Sequence, residues 1–399
     1  MTSEAQFFLS HLGQTSPFPF LIEVDRAEGA YIYDKKGKSY LDMIAGVAVN
    51  NIGHRHPRVV EALQTQLDKH LHVMVYGEFI QDAQQALVRQ LLEVLPAELD
   101  GVYVVNSGTE AIEASLKLAK RATGRTELVS FSGSYHGSTH GAMSVSANEI
   151  KKRAFRPLLP DVRILTHNDI AALSQITLQT AGVLIETVQG DAGVRRPSLE
   201  FMQALRARCT EVGALLIFDE IQCGMGRTGR IFAFEHFDIV PDVLALGKAL
   251  GGGMPIGTLV APQQLLNLFT HEPMLGHITT FGGHPMVCAA AAATIEVLRT
   301  EIDWDTLERS AAEFELKIAA HRAVKAHRRV GAMFAFDLQS EKQVAQVVET
   351  CLHEGLITFW FLSHPYSFRL SPPLNISEQE IREAAAIILS AINETREFL

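Results

Sequence analysis

Cysteine is scarce in this 399-residue chain: Cys209, Cys223, Cys288 and Cys351, with no CxxC pair and no zinc-ligand spacing. That scarcity excludes a disulfide scaffold and points to small buried thiols in a reducing compartment, with the cytoplasm as the expected setting. No apolar run approaches the ~18 residues that a membrane span needs, and the first twenty residues lack the basic stretch and apolar block of a secretory leader. Positive charge is also short. Thirty-five Lys and Arg face 45 Asp and Glu, a net charge of −10, so no basic face for nucleic acid is expected. His54 and His56 stand together in GHRHP without a neighbouring carboxylate in the sequence, so no metal site is expected there.

What is present is ordinary for a globular protein: 47% hydrophobic and 20% charged residues, in a chain long enough for two or three domains. Short apolar runs at 102–105, 127–131, 162–165, 182–186, 214–219, 243–246 and 257–261 predict strands. Continuous runs such as ALLIFD suit parallel strands covered on both faces. Helical spacing between them, at 110–121 and 199–212, predicts an α/β domain around a mostly parallel sheet sandwiched by helices. Past residue 300 the pattern becomes a helix at 305–321, two or three short strands and a closing helix at 377–397. The expected division is a large α/β domain at 46–300 and a smaller α+β domain built from 1–45 and 301–399.

Three segments carry candidate chemistry. VYVVNSGTEA runs from a strand into a helix and places Ser107, Gly108 and Thr109 at the helix N-terminus, where free amides and the dipole attract a phosphate. Taken alone, the segment is better explained as a plain helix cap, since most strand–helix turns bind nothing. ALLIFDEIQCGMGRTG ends the most apolar strand on Asp219 and Glu220, where ligands of open α/β sheets sit; a salt-bridged aspartate competes with that reading. Its Gly224–Gly229 portion matches GxGxxG, but the glycines begin five residues after the strand and a poor helix follows, so it does not make a dinucleotide fingerprint. VLALGKALGGG sets a single lysine, Lys248, between an apolar strand and three glycines. Desolvation there lowers an amine's pKa towards nucleophilic competence.

Together these supply a phosphate cradle, a carboxylate at a strand end and an isolated lysine. Pyridoxal phosphate requires that trio: Lys248 for a Schiff base, Asp219 to keep the pyridine nitrogen protonated, and the helix N-terminus for the phosphate.

With those residues in view, the chain resembles the class III aminotransferases, in the branch with the acetylornithine and ornithine enzymes. The likeness runs through GAYIYDKKGKSYLDMIAGVAVNNIGHRHP, NSGTEA, YHG, DEIQCGMGRTG, LGKALGGGMPIG, TTFGGHP and FRLSPPL, in that order. It implies the fold-type I architecture and pyridoxal 5'-phosphate as cofactor. It also implies that Gly108 and Thr109 bind the phosphate, Tyr135 stacks on the ring, Asp219 pairs with the ring nitrogen, and Gln222 lies near the ring hydroxyl. Ser107, His136, Glu186 and Thr279 belong to the same cofactor shell by this resemblance. Thr280 resembles a threonine that reaches the phosphate from a neighbouring subunit, which implies a homodimer with shared sites. Arg369 resembles an arginine that grips a substrate carboxylate.

Two departures bear on the substrate. The position two residues after the YHG histidine, an arginine in the acetylornithine and ornithine enzymes, is Ser138 here, and the glutamate that can pair with the C-terminal arginine is the shorter Asp191. Arg153, Arg156, Arg195 and Arg196 are candidates to compensate. The expected reaction moves an amino group from an amino acid or ω-amine to a keto acid, 2-oxoglutarate or pyruvate. The nearest alternatives are racemisation, aminomutation or decarboxylation on the same cofactor; a nicotinamide-dependent oxidoreductase and a non-catalytic binding protein are the others.

Overall fold

A computed structural model describes residues 2–395. Its centre is a seven-stranded sheet in the order Gly101–Val105, Gly257–Ala261, Val243–Gly247, Leu215–Asp219, Thr180–Glu186, Glu127–Phe131 and Val162–Leu165. The last five run parallel to one another, while Gly257–Ala261 is antiparallel to both its neighbours. Period-two alternation explains why the sheet is buried twice. Val129, Phe131, Val183, Ile185, Leu216, Phe218, Leu244 and Leu246 join one core with the Leu199–Val212 helix. The intervening Leu128, Leu184, Ile217, Val243, Ala245 and Leu259 face the Gly108–Thr123 helix. All seven strands predicted from the sequence are present.

Two smaller sheets flank this body. Val24–Glu28, Tyr31–Asp34 and Ser39–Asp42 form a meander that Leu356–Ile357 joins in parallel. Ala326–Val330, Met333–Asp337, Ser367–Leu370 and Phe359–Trp360 form the other. One short C-terminal strand thus extends the N-terminal sheet, while the other small sheet is C-terminal throughout. The expected helix at 305–321 is found as Trp304–Ala319, and the closing helix as Glu378–Glu394, its predicted end at 396–397 lying outside the described residues. The helices Pro57–Leu67, Asp82–Leu92 and Pro285–Thr300 were not anticipated, the short strands past residue 300 number five rather than two or three, and a further unanticipated helix is Glu341–His353. Its apolar residues Val344, Val347, Val348 and Cys351 are spaced for a helical face, but short strands on either side obscure the pattern.

The bodies interlock through Arg227. This fully buried guanidinium donates to the carbonyls of Ala332 (3.2 Å) and Pro372 (2.6 Å) and to Asn51 Oδ1. Backbone bonds from Ser371 to Met43 (2.7 Å) and Leu374 to Asn51 (2.6 Å) seal the same seam. No described helix is long and apolar enough to cross a membrane.

Candidate active site

The site gathers where the parallel strands end. Register places Glu186, Asp219 and Ala245 side by side in one row across three strands, and three residues after Ala245 the chain reaches Lys248. Its backbone is left-handed, φ 41°, a conformation that costs a non-glycine residue roughly 1–2 kcal/mol. Gly247 before it is extended and Gly252 after it left-handed, so glycine absorbs the sharp exit from the strand. Burial lowers the Lys248 pKa; Asp191, Asp219 and Glu186 oppose that shift while Arg369 adds to it. A lysine so placed holds a larger neutral, nucleophilic fraction than a surface lysine.

Asp219 is buried and doubly held. Oδ1 accepts from the Ile221 amide (3.0 Å) and Oδ2 meets His136 Nδ1 at 2.7 Å. With a carboxylate on Nδ1, that nitrogen carries the proton; Nε2 is buried without a protein partner among the described residues. The carboxylate is therefore fixed in direction, suited to a cationic ring N–H. Glu186, also buried, accepts from the amides of Tyr135 (3.0 Å) and Gly190 (3.0 Å) and so ties two site loops to one strand end. Burial, and then the Asp219 charge, raise its pKa well above the carboxylate range. Gln222 packs on Gly190, where any Cβ would collide with its amide.

The segment expected to cradle a phosphate is equally built. Ser107 caps the Gly108–Thr123 helix, its Oγ accepting from Glu110 N at 3.3 Å, while the first-turn amides of Gly108 and Thr109 have no intrahelical acceptor. A Cβ on Gly108 would meet Ile221 at 2.7 Å, and one on Gly257 would meet the Ser107 carbonyl at 1.9 Å. Thr109 Oγ1 lies 2.8 Å from Thr139 Oγ1 and fills the space that a side chain at Gly137 (φ 129°) would need. Glu113 then draws the next loop in, accepting from Thr139 Oγ1 (2.5 Å) and the amides of Gly141 (2.9 Å) and Ala142 (3.1 Å). The sequence reading missed Thr139 and Glu113. Glu113, one turn into the helix, was the available signal.

Of the residues expected to meet substrate, Arg369 and Asp191 form a buried ion pair at 3.0 Å. Phe359 and Phe361 lie 5.6 and 5.7 Å from the guanidinium carbon. Burial lowers the Arg369 pKa, against the pull of Asp191. Ser138 is exposed and bonded to the Tyr135 hydroxyl (3.2 Å). None of the four compensating arginines joins this group: Arg153 and Arg195 are exposed, Arg156 pairs with Glu149 (2.6 Å) and Arg196 lies over Phe237 (5.2 Å). Thr279 caps its own turn, accepting from Gly282 N (2.9 Å), and Thr280 is exposed on that loop. Neither touches the cluster around Lys248 within this chain.

Two side readings resolve here. The Gly224–Gly229 segment is all turn, followed only by the single 3-10 turn Ala233–His236 and no α-helix, and its left-handed Gly226 and Gly229 route the chain around buried Arg227. The GHRHP histidines are not bare of carboxylates after folding: His54 meets Asp42 at 2.8 Å and His56 meets Glu301 at 3.5 Å. No group of three metal-ligating side chains occurs among the described residues.

The residues present suit pyridoxal phosphate: a desolvated lysine, an oriented carboxylate, and a helix N-terminus with free first-turn amides. Comparison with known proteins agrees. The family model for aminotransferase class-III matches residues 13–392. An acetylornithine aminotransferase of Methanopyrus kandleri is 37% identical over 385 residues, 96% of each chain. A [LysW]-aminoadipate semialdehyde/glutamate semialdehyde transaminase of Sulfolobus acidocaldarius is 34% identical over 92% of this chain and 94% of its own length. The solved ornithine aminotransferase of Toxoplasma gondii superposes with TM-score 0.91 at 28% identity, covering 100% of this chain and 96% of that one. The chain belongs to the class III aminotransferases and is a pyridoxal-phosphate-dependent transaminase of the fold-type I architecture.

Proposed function

We propose that Lys248, Asp219 and the Gly108 helix N-terminus are the working parts of this transaminase, with an amino acid or ω-amine as donor and 2-oxoglutarate or pyruvate as acceptor. The observation that carries the assignment is the row of Glu186, Asp219 and Ala245 at one sheet edge, with Lys248 just beyond it. Pyridoxal phosphate, when bound, supplies a ring that accepts the electrons left as a proton departs the amine-bearing carbon. Lys248 anchors the cofactor through Nζ. Once an amine displaces it, its lowered pKa fits it to take that proton and return it elsewhere. Asp219, braced by His136, keeps a proton on the ring nitrogen. The Gly108 and Thr109 amides and the Ser107 and Thr109 hydroxyls hold the phosphate; Tyr135 covers one ring face, and Gln222 and Glu186 line the ring's polar edge. Arg369 receives a substrate carboxylate, and the Asp191 partner must yield or share it.

The same reading covers organisation. Residues 46–300 act as the cofactor-binding domain, and 1–45 with 301–399 as the smaller one. Thr280, exposed on its own chain, completes the site of a second copy, so the working unit is a homodimer. Four buried free cysteines support a reducing, cytoplasmic setting. Relatives named for acetylornithine favour an ω-amine of a basic amino acid derivative, but Ser138 lacks the cation expected for that substrate.

The visible spectrum tests this. Purified protein should be yellow, bleach with its amino donor and recover with a keto acid. Lys248→Ala should lose turnover by at least 10⁴-fold, on the order of the effect of removing a covalent and acid–base catalyst. Substantial residual turnover in that variant would sink the assignment.

A further inference from the structure

A cleft of about 870 Å³ is lined by Phe361, one of the two rings nearest the Arg369 guanidinium. Its size falls within the roughly 300–1,000 Å³ of small-molecule sites. Phe18 and Phe20 come from the N-terminal segment, Val344 and Val348 from the Glu341–His353 helix, Trp360 from the short strand paired with that of Arg369, and Phe361 from the residue after it. Phe20 packs edge-on against Phe359 and Trp360 at 5.7 and 6.3 Å, so the walls hold one another in place. Phe361 serves two sides: it lines the cleft and lies 5.7 Å from the Arg369 guanidinium.

The cleft also carries a cation. Lys151 lies on its rim and makes no ion pair among the described residues. Its segment is bound to the substrate side by two hydrogen bonds, Asn148 Nδ2 to Ser363 Oγ (3.2 Å) and Ser363 N to the Asp191 carbonyl (3.2 Å). Desolvation lowers the Lys151 pKa, and the charges it senses are Asp191 and Arg369. Glu341 and Glu349 stand on the helix wall, which disfavours an anion there and leaves the Lys151 end for it.

We propose that this cleft is the tail subsite of the substrate: it takes a hydrophobic chain or ring, with a carboxylate of the same molecule held between Lys151 and Arg369. Lys151 thereby supplies the positive charge that Ser138 does not. This rests on Arg369 facing substrate, and it predicts a preference for amines or carbonyl compounds with long apolar substituents over short polar ones.

Straight-chain carboxylates test it without turnover. Trp304 and Trp360 are the chain's two tryptophans, so Trp304→Phe holoenzyme reports on Trp360 alone. Titration with acetate, butyrate, hexanoate and octanoate should show Kd falling about fourfold per added methylene, from ~0.8 kcal/mol per buried CH₂. Lys151→Gln should weaken octanoate by about fivefold, the upper range for one exposed charge pair, and leave octanol unchanged. Ala345→Phe, which fills the cleft from an exposed position, should flatten the chain-length trend with the visible spectrum intact. A flat series in the unsubstituted cleft, or an unaltered trend in Ala345→Phe, overturns the subsite while a Lys248-dependent yellow band upholds the cofactor assignment. Absence of that band overturns the assignment itself, whatever octanoate does.

Discussion

Asp337 shows how a residue outside the site can hold it in shape. Arg328 grips it through two bonds of 2.8 and 2.6 Å, His364 adds a third at 3.0 Å, and the Arg328 Nε donates to the Gly193 carbonyl beside Asp191. Burial alone would raise the Asp337 pKa, but the Arg328 and His364 hydrogen bonds and the Arg328 charge outweigh it and hold the carboxyl well below its usual range. A depressed carboxylate contributes stability fully above its unfolded pKa of about 3.9 and loses it as pH falls towards the native value. Asp337→Asn should therefore lower unfolding stability by about 2 kcal/mol at pH 7. The gap between variant and parent should stay constant down to about pH 4 and then narrow, as urea midpoints across pH would show; a gap that widens in acid refutes the pairing. At this scale the sequence was readable where chemistry restricts the residue type. A lone lysine among glycines and an aspartate closing an apolar run both stood out. Arg227 did not, because nothing local marks an arginine whose acceptors, at Asn51, Ala332 and Pro372, are distant in sequence.

Between elements, the decisive joint links the Gly108–Thr123 helix to the short helix His140–Val145. Glu113 receives three donors from the second helix's entry, and Thr109 rests in the space left by Gly137. Tyr135, His136 and Ser138 precede that joint directly, so its geometry sets where they point. Glu113→Gln keeps one acceptor oxygen and removes the charge, and should raise the cofactor Kd by roughly tenfold, about 1.4 kcal/mol. Gly137→Ala should do worse, since it meets Thr109 and forces a positive φ on alanine. Equilibrium dialysis of the resolved apoenzyme against pyridoxal phosphate measures both, and unchanged affinity in the two variants would show that the joint does not position the site. All seven strands of the large sheet were legible because burial on both faces writes them as apolar runs. The antiparallel direction of Gly257–Ala261 was not, since strand direction leaves no local trace, and the Glu341–His353 helix was hidden among two-residue strands.

Over the whole molecule, apolar exposure is uneven. Leu71, Phe79 and Ile80 are 58%, 54% and 88% exposed, and Met274, Leu275 and Phe281 are 76%, 55% and 55% exposed. His72, next to Leu71, stacks on His284 at 5.4 Å and packs on exposed Phe281 at 5.1 Å, so the two stretches meet at Leu71 and Phe281. Contiguous apolar faces of this kind mark protein contacts. Thr280 lies within the same face, and Tyr103 fixes its loop to the sheet edge through the His277 carbonyl (2.8 Å). Burial of the face and completion of the cofactor site should therefore be one event. Sedimentation should give a particle of about twice the 43.9 kDa chain mass. Ile80→Lys with Met274→Lys should shift it towards monomer and weaken cofactor retention together, since each protomer would lose the other's Thr280. Thr280→Ala should weaken retention without altering the sedimentation. A monomer that keeps full cofactor affinity would break the link between assembly and site, and leave the apolar face to some other partner.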